Sequence, residues 1–165
     1  MKVIDILNKS DKAVFSFELV PPLKGGDINK IYEAIEPLIT LAPPFINITF
    51  HRDEVVYREY PDGTIKKVTV TKRPGSVALA AAIMRRYNVD MVPHIVCGGA
   101  TRHKIENELI DLNFLDIENV MALRGDPIPG ERFFTPEEGG HQYSCELVEQ
   151  ITRMNHGQYL DDTLT

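Results

Sequence analysis

The chain has 165 residues, enough for one domain with a sizeable core, and we predict a single domain over residues 1–165. Its hydrophobic fraction of 43% and charged fraction of 25% are ordinary globular values, which predict neither disorder nor a membrane partner. The net charge of −6 argues against nucleic acid as the main partner, because phosphate binding favours a basic surface.

The first half of the chain predicts two strand–helix units and an insertion. Residues 13–22, AVFSFELVPP, are rich in β-branched and aromatic side chains and end in two prolines, which indicates a strand and a rigid loop. Residues 27–41 place apolar residues at helical spacing, with Asp27 as the predicted N-cap. A second strand is predicted at residues 45–50. Alternation on both sides of a Pro-Asp-Gly turn then predicts a β-hairpin over residues 55–70.

The second half predicts two further strands, at residues 91–97 and 119–123, and three helices, at residues 76–87, 101–115 and 143–155. Ser76 and Thr101 are the predicted N-caps of the first two of these helices. Counted without the hairpin, the order is four strand–helix units with short apolar strands. That order predicts a parallel sheet covered by helices.

A doubly wound sheet and a barrel both fit this order. The first strand is followed by a loop with only two adjacent glycines, not by G-x-G-x-x-G, which favours the barrel. A full (β/α)8 barrel takes about 250 residues, so four units amount to half of one. We therefore predict an α/β chain of the (β/α)8 TIM-barrel family with only the first four β/α units, a half-barrel or truncated protein that carries a hairpin insertion after the second strand.

The cysteines and the amino-terminal segment indicate the compartment. Cys97 and Cys145 are too few for a disulfide framework or a cysteine-ligated metal cluster. The first twelve residues carry Asp5, Lys9 and Asp11 where a signal peptide needs a continuous apolar run. These observations predict a cytoplasmic protein with two free thiols.

Polar residues stand at all four predicted strand ends, where functional groups of parallel α/β folds collect. In chain order they are Glu18, Thr49 with His51, His94, and Arg124 with Asp126. Each has an ordinary structural alternative: a strand-end glutamate, a β-branched strand residue, a core histidine or a salt-bridged turn. Their convergence on one rim is stronger support for a site than any single residue.

The residue types at this rim indicate particular chemistry. Glu18, a carboxyl group between apolar neighbours, suits a general acid. His94 has no second histidine or acid at metal-ligand spacing, which disfavours zinc. Small residues and a helix start follow it, and they are compatible with a phosphate site. Arg124 suits an anion, Asp126 a polar heterocycle, and Gly125 a close backbone approach to a ligand. The alternative interpretation of these three residues, a cell-adhesion tripeptide, requires an extracellular protein.

Two segments resemble the methylenetetrahydrofolate reductase family. FSFELVPP is similar to its first-strand signature and ALRGDPIPG to its fourth-strand signature, with NITF and PHIVC between them in the expected order. The resemblance runs over the whole chain and implies a (β/α)8 barrel that holds FAD at the carboxyl ends of its strands. The implied reaction is the reduction of 5,10-methylenetetrahydrofolate to 5-methyltetrahydrofolate by NADH or NADPH, a step of one-carbon metabolism and methionine biosynthesis.

The resemblance also implies roles for individual residues. Glu18 resembles the general acid that assists opening of the five-membered ring of the folate. Asp126 resembles the carboxylate near the flavin and the pterin, whose charge disfavours the anionic reduced flavin. The implied FAD contacts are Thr49, Phe50, His94, Arg124, Gly125, Asp126, Tyr143 and Ser144. No metal is implied, and the implied mechanism is ping-pong, from the nicotinamide to the flavin and then to the folate.

The sequence departs from the family pattern in two places. Residues 53–73, with the predicted hairpin, replace a short glycine-rich loop, and the second half of the barrel is missing from residues 1–165. We therefore expect the chain alone not to be a competent reductase unless two copies or a partner complete the barrel, and a homo-oligomer is expected. The alternatives are a non-catalytic half-barrel that assembles with itself or a partner, and another barrel enzyme such as a phosphate-binding isomerase.

Overall fold

The computed structural model describes residues 1–128 and 131–161. The last two letters of ALRGDPIPG, residues 129–130, and the final residues 162–165 lie outside this described part. Its helices and strands are, in chain order, α1 (Val3–Lys9), β1 (Phe17–Leu19), α2 (Ile28–Ile39), β2 (Phe45–Ile48), β3 (Glu54–Glu59), β4 (Ile65–Val70), α3 (Ser76–Tyr87), β5 (Asp90–Val96), α4 (Arg102–Phe114), β6 (Met121–Leu123) and α5 (Ser144–Asn155).

Four strands form one parallel sheet in the order β1-β2-β5-β6. Glu18 pairs with Asn47, Asn47 with Val92, and His94 with Met121. The spatial order follows the chain order, whereas a doubly wound sheet reverses its strand order at a switch point. The predicted α/β class with a parallel sheet is confirmed.

One face of this sheet forms the core. Ile46, Ile48, Met91 and Ile95 are at most 1% exposed and belong to a cluster with apolar side chains of the helices, among them Leu79, Ile83, Ile105 and Leu147. Because side chains alternate along a strand, the other face carries Glu18, Asn47 and His94. We call it the inner face, and its polar residues lie towards the carboxyl ends of the strands.

The hairpin between β2 and α3 is a separate antiparallel sheet of β3 and β4. Its turn is closed by Asp62, whose Oδ1 accepts hydrogen bonds from the amide of Thr64 at 2.9 Å and from its hydroxyl at 2.6 Å. Two contacts tie the base of the hairpin to the loop after β1: the Arg73 guanidinium donates to the carbonyl of Pro21, and the Lys24 amide donates to the carbonyl of Lys72.

The helix starts follow the predicted capping pattern in two of three cases. Asp27 accepts from the amide of Asn29 at 2.9 Å, and Thr101 accepts from the amide of Lys104 at 3.2 Å, so both predicted N-caps are confirmed. The prediction for Ser76 is wrong, because Gly75 is the N-cap of α3. The Ser76 hydroxyl is buried and donates instead to the carbonyl of His94 at 3.3 Å, which satisfies both groups.

Helix α1 was not predicted from the sequence. Strands β1 and β6, at the two ends of the sheet, are shorter than the predicted strands. None of the seven residues of α1 is fully buried, and its apolar residues Val3 and Ile6 are only partly buried. The helix is held by Asn119, which accepts from the Val3 amide at 2.8 Å and donates to the Met1 carbonyl at 2.9 Å. Among the described residues, no helix combines the length and the apolar character needed to cross a bilayer.

Candidate active site

Glu18 and His94 meet across the inner face. Glu18 Oε2 lies 3.8 Å from His94 Nε2, although β2 separates their two strands. Glu18 is 56% exposed in spite of its apolar neighbours, because Phe17 and Leu19 alternate onto the opposite face. The carboxyl group is therefore accessible to a ligand.

His94 is buried, with 5% of its surface exposed. Burial lowers the pKa of its imidazole below the ordinary value of 6.5, and the nearby Glu18 carboxylate opposes this shift only in part. Near neutral pH His94 is therefore uncharged, and its contact with Glu18 is not an ion pair. Within the described part of the chain, His94 Nε2 has no hydrogen-bond partner.

Asn47 lies beside Glu18 on the inner face and was not among the predicted site residues. It is 8% exposed, its Nδ2 donates to the Ser16 hydroxyl at 3.3 Å, and its Oδ1 has no partner among the described groups. The burial of a polar side chain with an unpaired atom is visible only in the structure. The strand pattern of FINITF gives no signal for it beyond the presence of an amide in an apolar run.

Thr49 and Phe50 follow directly after β2. The Thr49 hydroxyl donates to the Leu19 carbonyl at 3.3 Å, so towards a ligand it is left to act as an acceptor. Phe50 is half-buried and is not among the side chains that line the cavity described next. His51 is exposed, in agreement with its prediction as a surface loop residue.

A cavity of about 480 Å³ opens at the carboxyl end of β6. Its lining combines the end of β6 with the start of α5: Leu123, Arg124, Gly125, Asp126, Tyr143 and Ser144. Five of these six residues are predicted cofactor contacts, and Leu123 is the one that the sequence did not single out. The structure therefore brings together two segments that are separated by more than fifteen residues of chain.

Gly125 sits where only glycine fits. Its φ is +87°, in the left-handed region, and a Cβ at this position would lie 2.6 Å from Val96 Cγ1. The close approach brings the loop after β6 onto the end of β5. Gly98 reinforces this contact by donating its amide to the Arg124 carbonyl at 3.1 Å.

Two arginines flank the cavity rim. The Arg124 guanidinium lies 5.4 Å from the centre of the Phe134 ring, and Arg52 Nη1 donates to the Asp126 carbonyl at 3.4 Å. Within the described residues, neither arginine has a carboxylate partner within 4.0 Å. They leave positive charge available for an anionic ligand. Arg52 was not predicted, and only its contact across the rim identifies it.

Tyr143 and Ser144 are positioned by the start of α5. The Glu146 carboxylate accepts from the Tyr143 amide at 3.1 Å and from the Gln142 amide at 2.7 Å. These hydrogen bonds lower the pKa of Glu146. The Tyr143 side chain is half exposed above this fixed backbone and faces the cavity.

A smaller cavity of about 210 Å³ lies between α4 and α5 and contains none of the predicted site residues. Its polar groups largely satisfy one another. His141 Nε2 lies 2.6 Å from Gln150 Oε1, and Gln150 Nε2 donates to the Arg102 carbonyl at 3.0 Å. We assign it to the packing between these helices. No group of three or more possible metal ligands is found in the described part of the chain.

Comparison with known proteins matches the chain to one family over nearly its whole length. The family model for methylenetetrahydrofolate reductase matches residues 2–164. Over 99% of its length the chain is 28% identical to methylenetetrahydrofolate reductase (NADH) 1 of Arabidopsis thaliana, of which it covers 25%. Over 92% of its length it is 28% identical to methylenetetrahydrofolate reductase 1 of Schizosaccharomyces pombe, of which it covers 23%.

A bacterial relative shows the same partial coverage. The chain is 26% identical, over 81% of its length, to the 5,10-methylenetetrahydrofolate reductase of Salmonella typhimurium, of which it covers 38%. The chain thus spans about a quarter of the plant and yeast relatives and well under half of the bacterial one. Because the family model matches nearly all of its residues, the chain belongs to the methylenetetrahydrofolate reductase family.

Proposed function

We propose that this chain serves the flavin-dependent reduction of 5,10-methylenetetrahydrofolate to 5-methyltetrahydrofolate by NADH or NADPH. The observation that carries the proposal is the convergence of Arg124, Gly125, Asp126, Tyr143 and Ser144 on one cavity. In a member of this family, that cavity at the carboxyl end of a parallel strand is the natural place for FAD. The cytoplasm is the proposed compartment.

The rim residues fit an FAD molecule chemically. Gly125 keeps the backbone clear of a side chain, Tyr143 offers an exposed aromatic ring, and Arg124 offers a guanidinium without a carboxylate partner among the described residues. Arg124, Gly125, Asp126, Tyr143 and Ser144 would hold the cofactor, with Thr49, Phe50 and His94 as further proposed contacts. When bound, FAD supplies hydride transfer between the nicotinamide and the folate.

Glu18 is the proposed general acid. Opening the five-membered ring of the folate releases an amine nitrogen that needs a proton, and the Glu18 carboxyl group is exposed on the inner face to deliver it. The neutral His94 beside it does not form an ion pair with the carboxylate. Asp126 is the proposed carboxylate near the flavin, and the Arg52 contact fixes its backbone.

We also propose that the described sheet is one arc of the family's eight-stranded barrel. Strands β1 and β6 are the two ends of the four-stranded sheet, and an open strand edge is normally covered in a stable protein. The remaining strands would come from a longer chain or from a second copy. We further propose that the chain forms a homo-oligomer. The hairpin of β3 and β4 would take the place of the usual loop after β2.

The reaction is tested on the flavin-loaded protein in its assembled form. We expect yellow protein, NAD(P)H oxidation with menadione, and NAD(P)H oxidation with methylenetetrahydrofolate. Glu18→Gln should lower the folate reaction by about 10²–10⁴-fold and leave the menadione reaction unchanged, because only folate reduction needs the acid. Glu33→Gln, an exposed carboxylate on α2, is the control. Protein that binds no flavin and oxidises no NAD(P)H with methylenetetrahydrofolate would contradict the proposal.

The half-barrel is tested separately by mass and rate. Light scattering with simultaneous visible absorbance should place the flavin in an assembly larger than one 165-residue chain. The menadione rate should fall when dilution dissociates that assembly. A monomer of 165 residues that turns over at the rate of a complete family member would overturn the half-barrel and leave the reaction standing.

A further inference from the structure

The unmet hydrogen-bonding capacity of the inner face is concentrated beside Glu18. Among the described side chains, three buried polar atoms have no partner, and two of them, Asn47 Oδ1 and His94 Nε2, lie on this face. Both side chains are more than nine-tenths buried. An unpaired buried polar atom destabilises the free protein, so a pair of them on one face indicates groups reserved for a ligand.

The sheet register places Asn47 between Glu18 and His94. Asn47 pairs directly with Glu18 on one side, and Val92 on the other side stands two residues before His94. Glu18 Oε2 lies 3.8 Å from His94 Nε2, and β2 runs between their two strands. The contact between these side chains therefore crosses above β2 on the inner face. A ligand that contacts both Glu18 and His94 therefore lies on the face of the sheet that carries the Asn47 side chain.

The Asn47 amide is also fixed in orientation. Its nitrogen donates to Ser16 at 3.3 Å, which leaves the oxygen as the acceptor for a ligand donor. A carbonyl-type acceptor selects an N–H group. Reduced pterins and flavins share one such group, the N–H of a cyclic amide next to a carbonyl. When Nε2 of the neutral His94 ring carries the hydrogen, it can donate a hydrogen bond to that carbonyl.

We propose that Asn47 is a specificity-determining residue whose Oδ1 accepts a hydrogen bond from the cyclic-amide N–H of the heterocycle bound at the inner face. The inference deepens the proposed function, on which it rests for the identity of the heterocycle. Asn47 thereby joins Glu18 and His94 in one site, with the acid at one end and the amide in the middle.

Binding to the intact protein tests the proposal without any turnover. The probes are riboflavin, 3-methylriboflavin, which lacks the cyclic-amide N–H, and tetrahydrofolate, each titrated into wild type and Asn47→Leu. If flavin is the donor, wild type should prefer riboflavin over its methylated form by about tenfold, and Asn47→Leu should lose that preference. If the pterin is the donor, Asn47→Leu should weaken tetrahydrofolate by a similar factor and leave both flavins unchanged.

Thermal unfolding separates this role from a structural one. Asn47→Leu removes an unpaired buried oxygen at nearly constant volume and gives up only the 3.3 Å hydrogen bond to the exposed Ser16 hydroxyl, so its melting temperature without ligand should equal or exceed that of wild type. Asn47→Asp keeps an acceptor at the same place and should retain the ligand preference. Asn113→Leu, which removes an exposed amide on α4, is the control and should change neither binding nor preference.

Two results would overturn the inference. One is a lower melting temperature of Asn47→Leu together with equal weakening of all three probes, which is the signature of a structural residue. The other is unchanged or undetectable binding of every probe in wild type and variant alike. A protein that oxidises no NAD(P)H, but whose probe binding still changes in Asn47→Leu as described, would contradict the proposed reaction. It would leave the proposed role of Asn47 standing.

Discussion

Gly125 shows how one residue fixes the shape of the candidate site. Its positive φ disfavours every side chain, and even the Cβ of an alanine would lie only 2.6 Å from Val96 Cγ1 unless one of the two segments moved. The loop after β6 therefore packs directly on the end of β5. Tight backbone packing at this point leaves room above it for the cavity.

We expect Gly125→Ala to lower the free energy of unfolding by more than the usual cost of a left-handed alanine, about 1–3 kcal/mol. Urea denaturation measures the loss. Gly63→Ala is the matched control, because Gly63 has φ +79° in the hairpin turn with nothing within 4 Å of a Cβ. The excess cost at Gly125 should shrink in Gly125→Ala/Val96→Ala, which removes the clashing methyl. Equal costs at Gly125 and Gly63 would contradict the packing argument.

Helix α1 shows that an element can be attached largely by polar contacts. It buries none of its residues, and Ile4 and Leu7 are at least half exposed. The Asn119 side chain bonds both Val3 and Met1 before β6, and the Met1 amino group adds ion pairs with Asp90 at 2.7 Å and Glu118 at 3.4 Å. Such an element should open locally before the sheet does.

Asn119→Leu should loosen the attachment of α1 to the sheet. The variant loses two hydrogen bonds, each contributing about 0.5–1.5 kcal/mol, and leaves the parallel sheet intact. Hydrogen exchange should therefore accelerate at residues 3–9 far more than at β2 and β5. The exposed amide removed by Asn113→Leu provides the comparison. Unchanged exchange at residues 3–9 would show that other contacts hold the helix.

At the scale of the whole molecule, the periodicity of apolar residues in the sequence predicted the secondary structure elements and the strand ends. Apolar runs and helical spacing located the parallel strands and the helices after them, and strand ends pointed to Glu18, His94 and Arg124. Features that depend on contacts between distant segments were missed. Asn47 looks like any polar residue in a strand, Arg52 reaches Asp126 across 74 residues of chain, and α1 is bonded by Asn119, which lies 116 residues after Val3. Such features arise from tertiary packing, which a single sequence does not display.

The pH dependence of stability is a whole-molecule property to which two groups contribute with opposite sign. Burial lowers the pKa of His94, so below about pH 6.5 the unfolded chain binds a proton that the folded chain resists, and stability falls as the pH falls. Burial raises the pKa of Glu108 on α4, against the opposing charge of Lys104. The folded state then holds that proton more tightly, and stability falls as the pH rises above the ordinary value of 4.5.

The two substitutions should therefore move the pH of maximum stability in opposite directions. His94→Gln removes the acid-side loss and should shift the maximum to lower pH, whereas Glu108→Gln removes the loss at higher pH and should shift it upward. Urea midpoints measured from about pH 4 to about pH 8 would reveal both shifts, with the exposed residues His51 and Glu33 replaced by glutamine as controls. Shifts in the same direction would show that burial does not govern these two groups. A maximum that moves as expected for His94 would also support the conclusion that burial keeps the histidine beside Glu18 uncharged at neutral pH.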